Sequence, residues 1–277
     1  MKLTQEKITS RKNPLVLLAA SLSEKKYRDE HGLFAAPGYK LCCEAIATGA
    51  PVSHVLLSEE YAALHLDEIM DKFTDERYAD TVLTILSEGC FEKITTEKAP
   101  EGIILLIKHL DIYKKYIKIK DVGFFDVPER AVFLHSIRDP GNLGTIIRSA
   151  GAFGFECVLL SEDCADLYHP RTVRAAMGAI FRVPTLRVSD SVQAVRELAR
   201  MGRRTLAAEL RPRALPIHDI GLCAGDVIMI GNEGHGIPED VSSECAASVY
   251  IPIAPSAESL NAAAAAAVLL WEHSKIR

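Results

Sequence analysis

The sequence contains no apolar run of the roughly 18 residues needed to cross a bilayer. Its longest candidate, Ala262 to Trp271, is short and mostly alanine. The opening residues, Met1-Lys2-Leu3-Thr4-Gln5-Glu6-Lys7, lack the apolar stretch of a secretory signal. Both absences predict a cytoplasmic protein with no membrane role. Paired cysteines are lacking too. Cys42, Cys43, Cys90, Cys157, Cys164, Cys223 and Cys245 are scattered, odd in number and form no C-x-x-C pair. They read as reduced, mostly buried thiols, and no metal site is expected. Nor is there a basic surplus: 32 Lys and Arg against 37 Asp and Glu leave a net charge of −5. A nucleic-acid binder usually shows the reverse.

What is present describes a folded chain with real cores. Of 277 residues, 48% are hydrophobic and 25% charged, enough for two domains of ordinary size. The charge is also unevenly spread. Residues 1–40 hold eight basic against four acidic side chains, and residues 41–110 five against thirteen. Arg11, Lys12, Lys25, Lys26 and Arg28 gather positive charge at one end, as a solvated helix face or as a weak pointer to nucleic acid.

The first hundred residues alternate helical and extended patterns. Helices are expected over Pro14–Leu22, Leu41–Ala47 and within Phe73–Leu86, and strands over Leu33–Ala36, Val52–Leu57 and Gly102–Ile107. Residues 111–130 break the pattern with mixed charge, which predicts a linker between a domain at 1–110 and a second at 131–277. From Ala131 strands and helices alternate: strands at Ala131–Leu134, Glu156–Leu160, Thr205–Ala208, Asp226–Ile230 and Ser248–Ile253, and helices at Thr145–Phe153, Val192–Met201 and Leu260–Ser274. Ser191 and Ser259 are the expected N-caps of the last two helices. This rhythm predicts an α/β fold with a mostly parallel sheet covered on both faces. Ligands of such sheets sit in loops beyond the strand carboxyl ends.

Three polar, glycine-rich segments fall there. The first is Arg138-Asp139-Pro140-Gly141-Asn142-Leu143-Gly144-Thr145-Ile146-Ile147-Arg148, with a loop at Asp139–Gly144 and Arg148 projecting beside it. Alone, it reads equally as a helix-start turn with a surface arginine. The second is Ile230-Gly231-Asn232-Glu233-Gly234-His235-Gly236-Ile237, where three glycines in six residues require close backbone approach. Its spacing is not G-x-G-x-x-G, which disfavours a dinucleotide site. Glu233 is a carboxylate at a strand end; His235 reads as a polar loop residue. The third is Tyr250-Ile251-Pro252-Ile253, then Glu258-Ser259-Leu260-Asn261 and six alanines. Taken singly, Ser259 and Asn261 read as capping residues. The alanines give the helix a thin face that another helix can approach closely.

Together, in this order, the three segments resemble the motifs of the SpoU/TrmH-type RNA 2′-O-ribose methyltransferases of the SPOUT superfamily. Pro170 to Phe181 resembles the family's arginine-bearing stretch. More faintly, Ile8 to Pro14 and Pro100 to Ile103 resemble parts of its small α/β RNA-binding domain. One departure stands out: Pro37 precedes Gly38 where the family often has a glutamate, which bears on substrate recognition.

The resemblance implies a C-terminal parallel-sheet SPOUT domain with a deep trefoil knot, preceded by a small α/β RNA-substrate-binding domain. It implies a homodimer that methylates a ribose 2′-hydroxyl of rRNA or tRNA, with S-adenosyl-L-methionine as cofactor. By motif position, cofactor contacts fall on Gly231, Ile251 and Leu260. Arg148 falls on the catalytic arginine, acting as base or as charge stabiliser, with Asn142, Glu233, Ser259 and Asn261 orienting it and the ribose. Two other readings are a two-domain RNA-binding protein without catalysis, and a dehydrogenase-like nucleotide enzyme lacking its glycine signature.

Overall fold

The computed structural model describes residues 1–4, 6–110, 127–232 and 234–276. Two compact units result, one from Met1–Leu110 with Tyr168–Phe181, the other from the described residues of Asp111–Leu167 and Arg182–Arg277. Most of the expected linker, residues 111–126, lies outside the described residues. Val127 is already part of the second unit's core.

The first unit holds β1 (Lys2–Leu3), α1 (Pro14–Ser21), α2 (Lys25–His31), β2 (Leu33–Pro37), α3 (Tyr39–Ala47), β3 (Val52–Ser58), α4 (Glu59–Lys72), β4 (Val82–Leu86), α5 (Glu88–Ile94) and β5 (Ile103–Lys108). Its sheet runs β1-β4-β3-β5-β2, with β1, β4 and β3 parallel and β5 antiparallel to both β3 and β2. The helix expected within Phe73–Leu86 is a strand at Val82–Leu86, because β-branched Val82, Thr84 and Ile85 pair along β3. The helix lies earlier, at α4, where the Ser58 side chain accepts from Tyr61 N and Glu59 and Glu60 complement the helix dipole. The charged run after α1 is itself helical. Its Arg28 is 2% exposed and donates to the carbonyls of Leu22 (2.7 Å) and Ser23 (2.8 Å). That residue therefore caps α1 and leaves the surface charge to Arg11, Lys12, Lys25 and Lys26.

Tyr168–Phe181 joins this unit although the sequence groups it with the second domain. The Tyr168 ring stacks on Phe34 at 4.5 Å and on His109 at 4.3 Å, burying aromatic area that neither side could cover alone.

The second unit carries β6 (Ala131–Leu134), α6 (Pro140–Ala152), β7 (Cys157–Ser161), β8 (Thr185–Val188), α8 (Ser191–Arg200), β9 (Thr205–Ala208), β10 (Leu215–Pro216), β11 (Val227–Ile230), α9 (Glu239–Ser242), β12 (Ala247–Tyr250) and α10 (Ala262–Ser274); α7 (Pro170–Ala176) belongs to the first. Seven parallel strands run in the order β10-β12-β9-β11-β6-β7-β8. The central strands are buried along their whole length, as expected when helices cover both faces. Phe133, Leu159 and Met229 pack with Ala194, Val195 and Leu198 of α8 and Val241 of α9. The alternate residues face the other side, where α6 and α10 lie against one another.

Three helix starts differ from expectation, each for a capping reason. Asp139 caps α6 with Pro140 at the first helical position, so Asp139–Gly144 is a helical turn rather than a loop. Asp190 caps α8 in place of Ser191, which is helical. Asn261 caps α10 in place of Ser259, and accepts from two amides, Ala263 N and Ala264 N. The last strand stops at Tyr250, short of the expected Ile253, ahead of Pro252, which has no N–H to offer a ladder. Among the described residues, no helix is long and apolar enough to cross a membrane.

Candidate active site

The carboxyl ends of the second unit's strands bring the three motif segments into one region. In the first, Asp139 Oδ1 accepts from Asn142 N at 2.8 Å, which caps α6 and fixes Asn142 in its first turn. In the third, Asn261 Oδ1 accepts from Ala263 N (2.9 Å) and Ala264 N (3.3 Å). Its Nδ2 donates to Asn142 Oδ1 at 3.2 Å. Buried Ala262, Ala263 and Ala266 let α10 lie close to α6, so the two helix starts meet.

The second segment closes on itself. Asn232 and Gly236 exchange backbone hydrogen bonds of 3.2 and 2.9 Å, and Asn232 Oδ1 accepts from Gly234 N at 2.9 Å. A side chain at Gly231 would meet the Gly236 carbonyl carbon at 2.5 Å and oxygen at 2.7 Å. The glycine is thus required by the loop's own return. Asn232 Nδ2 donates to Ser136 O at 2.9 Å, tying this loop to the turn after β6. Glu233 lies outside the described residues, and His235 is an exposed loop residue.

Ser136, at φ 58°, is held in the left-handed region by a polar cluster. Its N–H donates to Ser161 Oγ at 2.8 Å, its hydroxyl donates to Asp163, and Ser161 Oγ donates to Asp163 Oδ1 at 2.6 Å. Burial alone would raise the Asp163 carboxyl, but these two hydroxyls and Arg138 hold it down at about 2.

A cleft of about 180 Å³ opens beside the third segment, between the ends of β9 and β12 and the side of α10. Ile251, Ser259 and Leu260 line it, with Glu209, Leu210, Ile253, Glu258 and Leu269. Two carboxylates and no Lys or Arg belong to this lining. Gly231 does not line it. Arg148 is exposed on α6, six residues and about 9 Å of helix axis beyond Asn142. It makes no hydrogen bond or ion pair with another described residue.

The geometry therefore joins Asn142 to Asn261, and Ile251 and Leu260 to Ser259, while Arg148 stands apart. Sequence reasoning passed over Asn232, Asp163 and Glu209. An asparagine flanked by Gly231 and, two residues on, Gly234 is a turn signal that pointed to Asn232; nothing local marks the other two.

In the first unit, a carboxylate distant in sequence reaches the start of α3. Glu101 Oε2 accepts from Tyr39 N at 2.6 Å at the start of α3, where Gly38 has no side chain to cap the helix.

A model of the SpoU rRNA Methylase family matches residues 129–271, more than half of the chain, and the protein belongs to that family. Residues 6–105 match the MRM3-like substrate binding domain. Among individual proteins, a 23S rRNA (guanosine(2553)-2′-O)-methyltransferase of Bacillus subtilis is 28% identical over 96% of this chain and 98% of its own length. An AdoMet-bound rRNA methyltransferase from Sinorhizobium meliloti superposes with a TM-score of 0.83 at 28% identity, covering 98% of this chain and 97% of that one. An RNA 2′-O ribose methyltransferase superposes with a TM-score of 0.77 at 26% identity, covering 98% of each chain.

Proposed function

We propose that this protein transfers a methyl group from S-adenosylmethionine to a ribose 2′-hydroxyl of rRNA or tRNA in the cytoplasm. The observation that carries the reading is the Asn142–Asn261 hydrogen bond beside the cleft, which unites the first and third motifs. The names of the Bacillus relative and of the 2′-O ribose methyltransferase structure support the ribose as target.

The cleft suits this cofactor. Apolar Leu210, Ile251, Ile253 and Leu269 fit an adenine, and a lining with two carboxylates and no cation favours a sulfonium over a pyrophosphate. The same chemistry disfavours a dehydrogenase. Ile251 and Leu260 flank the cofactor, while Gly231 acts by letting the second loop close beside it.

When bound, the cofactor supplies an electrophilic methyl group on sulfur. The chain's part is to hold the ribose oxygen in line and to help remove its proton, because an alcohol is a weak nucleophile near neutral pH. Asn142 and Asn261, fixed by their mutual bond and by the α10 cap, orient the ribose with Ser259 and Glu233. Arg148 has no competing partner among the described residues and is available to an RNA phosphate. Its guanidinium presents donors in a planar fork and no acceptor, so in this reading it stabilises the developing alkoxide. The MRM3-like unit holds the RNA, with exposed Arg11, Lys12, Lys25 and Lys26 on phosphates.

Two assembly features belong to the same reading. The last strand pairs β9, yet the last helix packs on α6 beyond β11, so the 251–261 segment crosses over strand ends as a trefoil knot requires. The outer face of α10 exposes Ala264, Val268 and Trp271 at helical spacing, an apolar stripe suited to a second copy in a homodimer.

Single-turnover methyl transfer to RNA from cells lacking the gene tests the catalytic reading. Arg148→Ala is expected to slow it by two or more orders of magnitude with cofactor affinity unchanged. Arg148→Lys restores only part of the rate, because an ammonium lacks the planar fork. Near-normal turnover in Arg148→Ala removes that residue from the catalytic set; RNA binding without turnover in the wild type favours a non-catalytic RNA-binding protein.

A further inference from the structure

We propose that Glu209 is a cofactor-binding residue whose carboxylate takes the ribose hydroxyls of the bound nucleoside, an inference that rests on the methyltransferase reading above. Glu209 follows β9 directly, and its N–H donates to Val249 O at 2.9 Å, which fixes it between the carboxyl ends of β9 and β12. Its side chain is only 9% exposed and lines the cleft. A carboxylate this buried needs donors for both oxygens.

The donors it has all fall on one oxygen. Oε1 accepts from the hydroxyls of Ser242 and Ser248, the latter at 2.7 Å, and Arg211 Nε lies 3.0 Å away. No described residue donates to Oε2. Nor is Oε2 among the sealed side-chain atoms without a partner, so solvent reaches it, on a residue that lines the cleft. One oxygen is anchored; the other is presented to a ligand.

The charge of the site narrows what that ligand group is. Arg211 is shared with Glu239, so one guanidinium sits between two carboxylates and the locus stays negative. A phosphate is repelled there, whereas hydroxyl donors are drawn to it. In parallel α/β sheets, an acidic side chain at a strand end is well placed to hydrogen-bond a ribose diol. The apolar walls beside Glu209 accommodate the attached base.

Calorimetry on the full-length protein tests this with S-adenosylhomocysteine and its 2′-deoxy and 3′-deoxy analogues. The wild type is expected to bind at least one deoxy analogue about tenfold or more weakly, the scale of one hydrogen bond to a charged group. Glu209→Gln is expected to bind S-adenosylhomocysteine more weakly and to lose most of that discrimination. Equal affinity of the wild type for all three ligands overturns the proposal without reference to any variant. Unchanged discrimination in Glu209→Gln overturns it as well. Failure of the wild type to bind S-adenosylhomocysteine at all is a different result, and it removes the cofactor reading together with this one.

Discussion

Asn261 donates to Asn142 at 3.2 Å while its own oxygen caps α10, so one side chain terminates a helix and orients a second motif. The two roles use different atoms and separate by substitution. Asn261→Asp keeps the capping oxygen and loses the amide donor; its thermal midpoint stays near that of wild type while turnover falls at least tenfold. Asn261→Ala loses both and costs about 1 kcal/mol of stability. A normal rate in Asn261→Asp, in thermal melts paired with methyl-transfer assays, contradicts the orienting role.

Gly231 makes the second loop possible because its missing Cβ would lie 2.5 Å from the Gly236 carbonyl carbon. That neighbour is backbone and cannot rotate away. Gly231→Ala is expected to destabilise the protein by about 1–3 kcal/mol, as overpacking does, and to abolish cofactor binding by displacing the loop. Calorimetry and urea melts check both effects; a variant of wild-type stability and affinity contradicts the tight closure.

The sheet of the second unit was legible because its strands are continuous apolar runs such as Ala131–Leu134 and Val227–Ile230. Helix boundaries were less so. Asp190 and Asn261 capture the free amides more effectively than Ser191 and Ser259, the serines expected to cap, a competition between neighbouring polar residues that periodicity does not register. Helix and strand were exchanged around Phe73–Leu86, where a short apolar run fits both patterns until pairing with β3 decides. That Tyr168–Phe181 packs with the first unit was not legible, because its partners, Phe34 and His109, are distant in sequence. Motif position singled out Asn142 and Asn261, which hydrogen-bond to one another, and Ile251 and Leu260, which line one cleft. Asp163 and Glu209 were not, since their significance comes from hydroxyls that only the fold brings near.

Asp163 links folding to acid pH. Its carboxyl is held at about 2 in the folded protein, below its ordinary 3.8, by Ser136, Ser161 and Arg138 acting against burial. The stabilisation is therefore full above about pH 4 and is lost as pH falls through 2. The side chain is 46% exposed, so solvent screening limits the contribution to roughly 1 kcal/mol or less. Asp163→Asn is expected to be less stable than wild type at pH 6, with the gap closing by pH 2. Urea midpoints measured across this range check it, and parallel curves rule the linkage out.

Trp271 is 51% exposed and Val268 40%, on a helix whose other face is buried. If this stripe joins two copies, Trp271→Asp converts a particle of twice the chain mass into one of the chain mass. Light scattering at micromolar concentration reads this directly. A wild type that is monomeric there contradicts the homodimer.

The central claim is that a methyl group passes to a ribose oxygen. Its most direct test incubates the wild-type protein with isotopically labelled S-adenosylmethionine and rRNA or tRNA from cells lacking the gene. The RNA is then digested to nucleosides and the label located by mass spectrometry. The account predicts label in a 2′-O-methylated nucleoside, carried on the ribose fragment. Label on a base, or none on RNA while the cofactor binds, contradicts it.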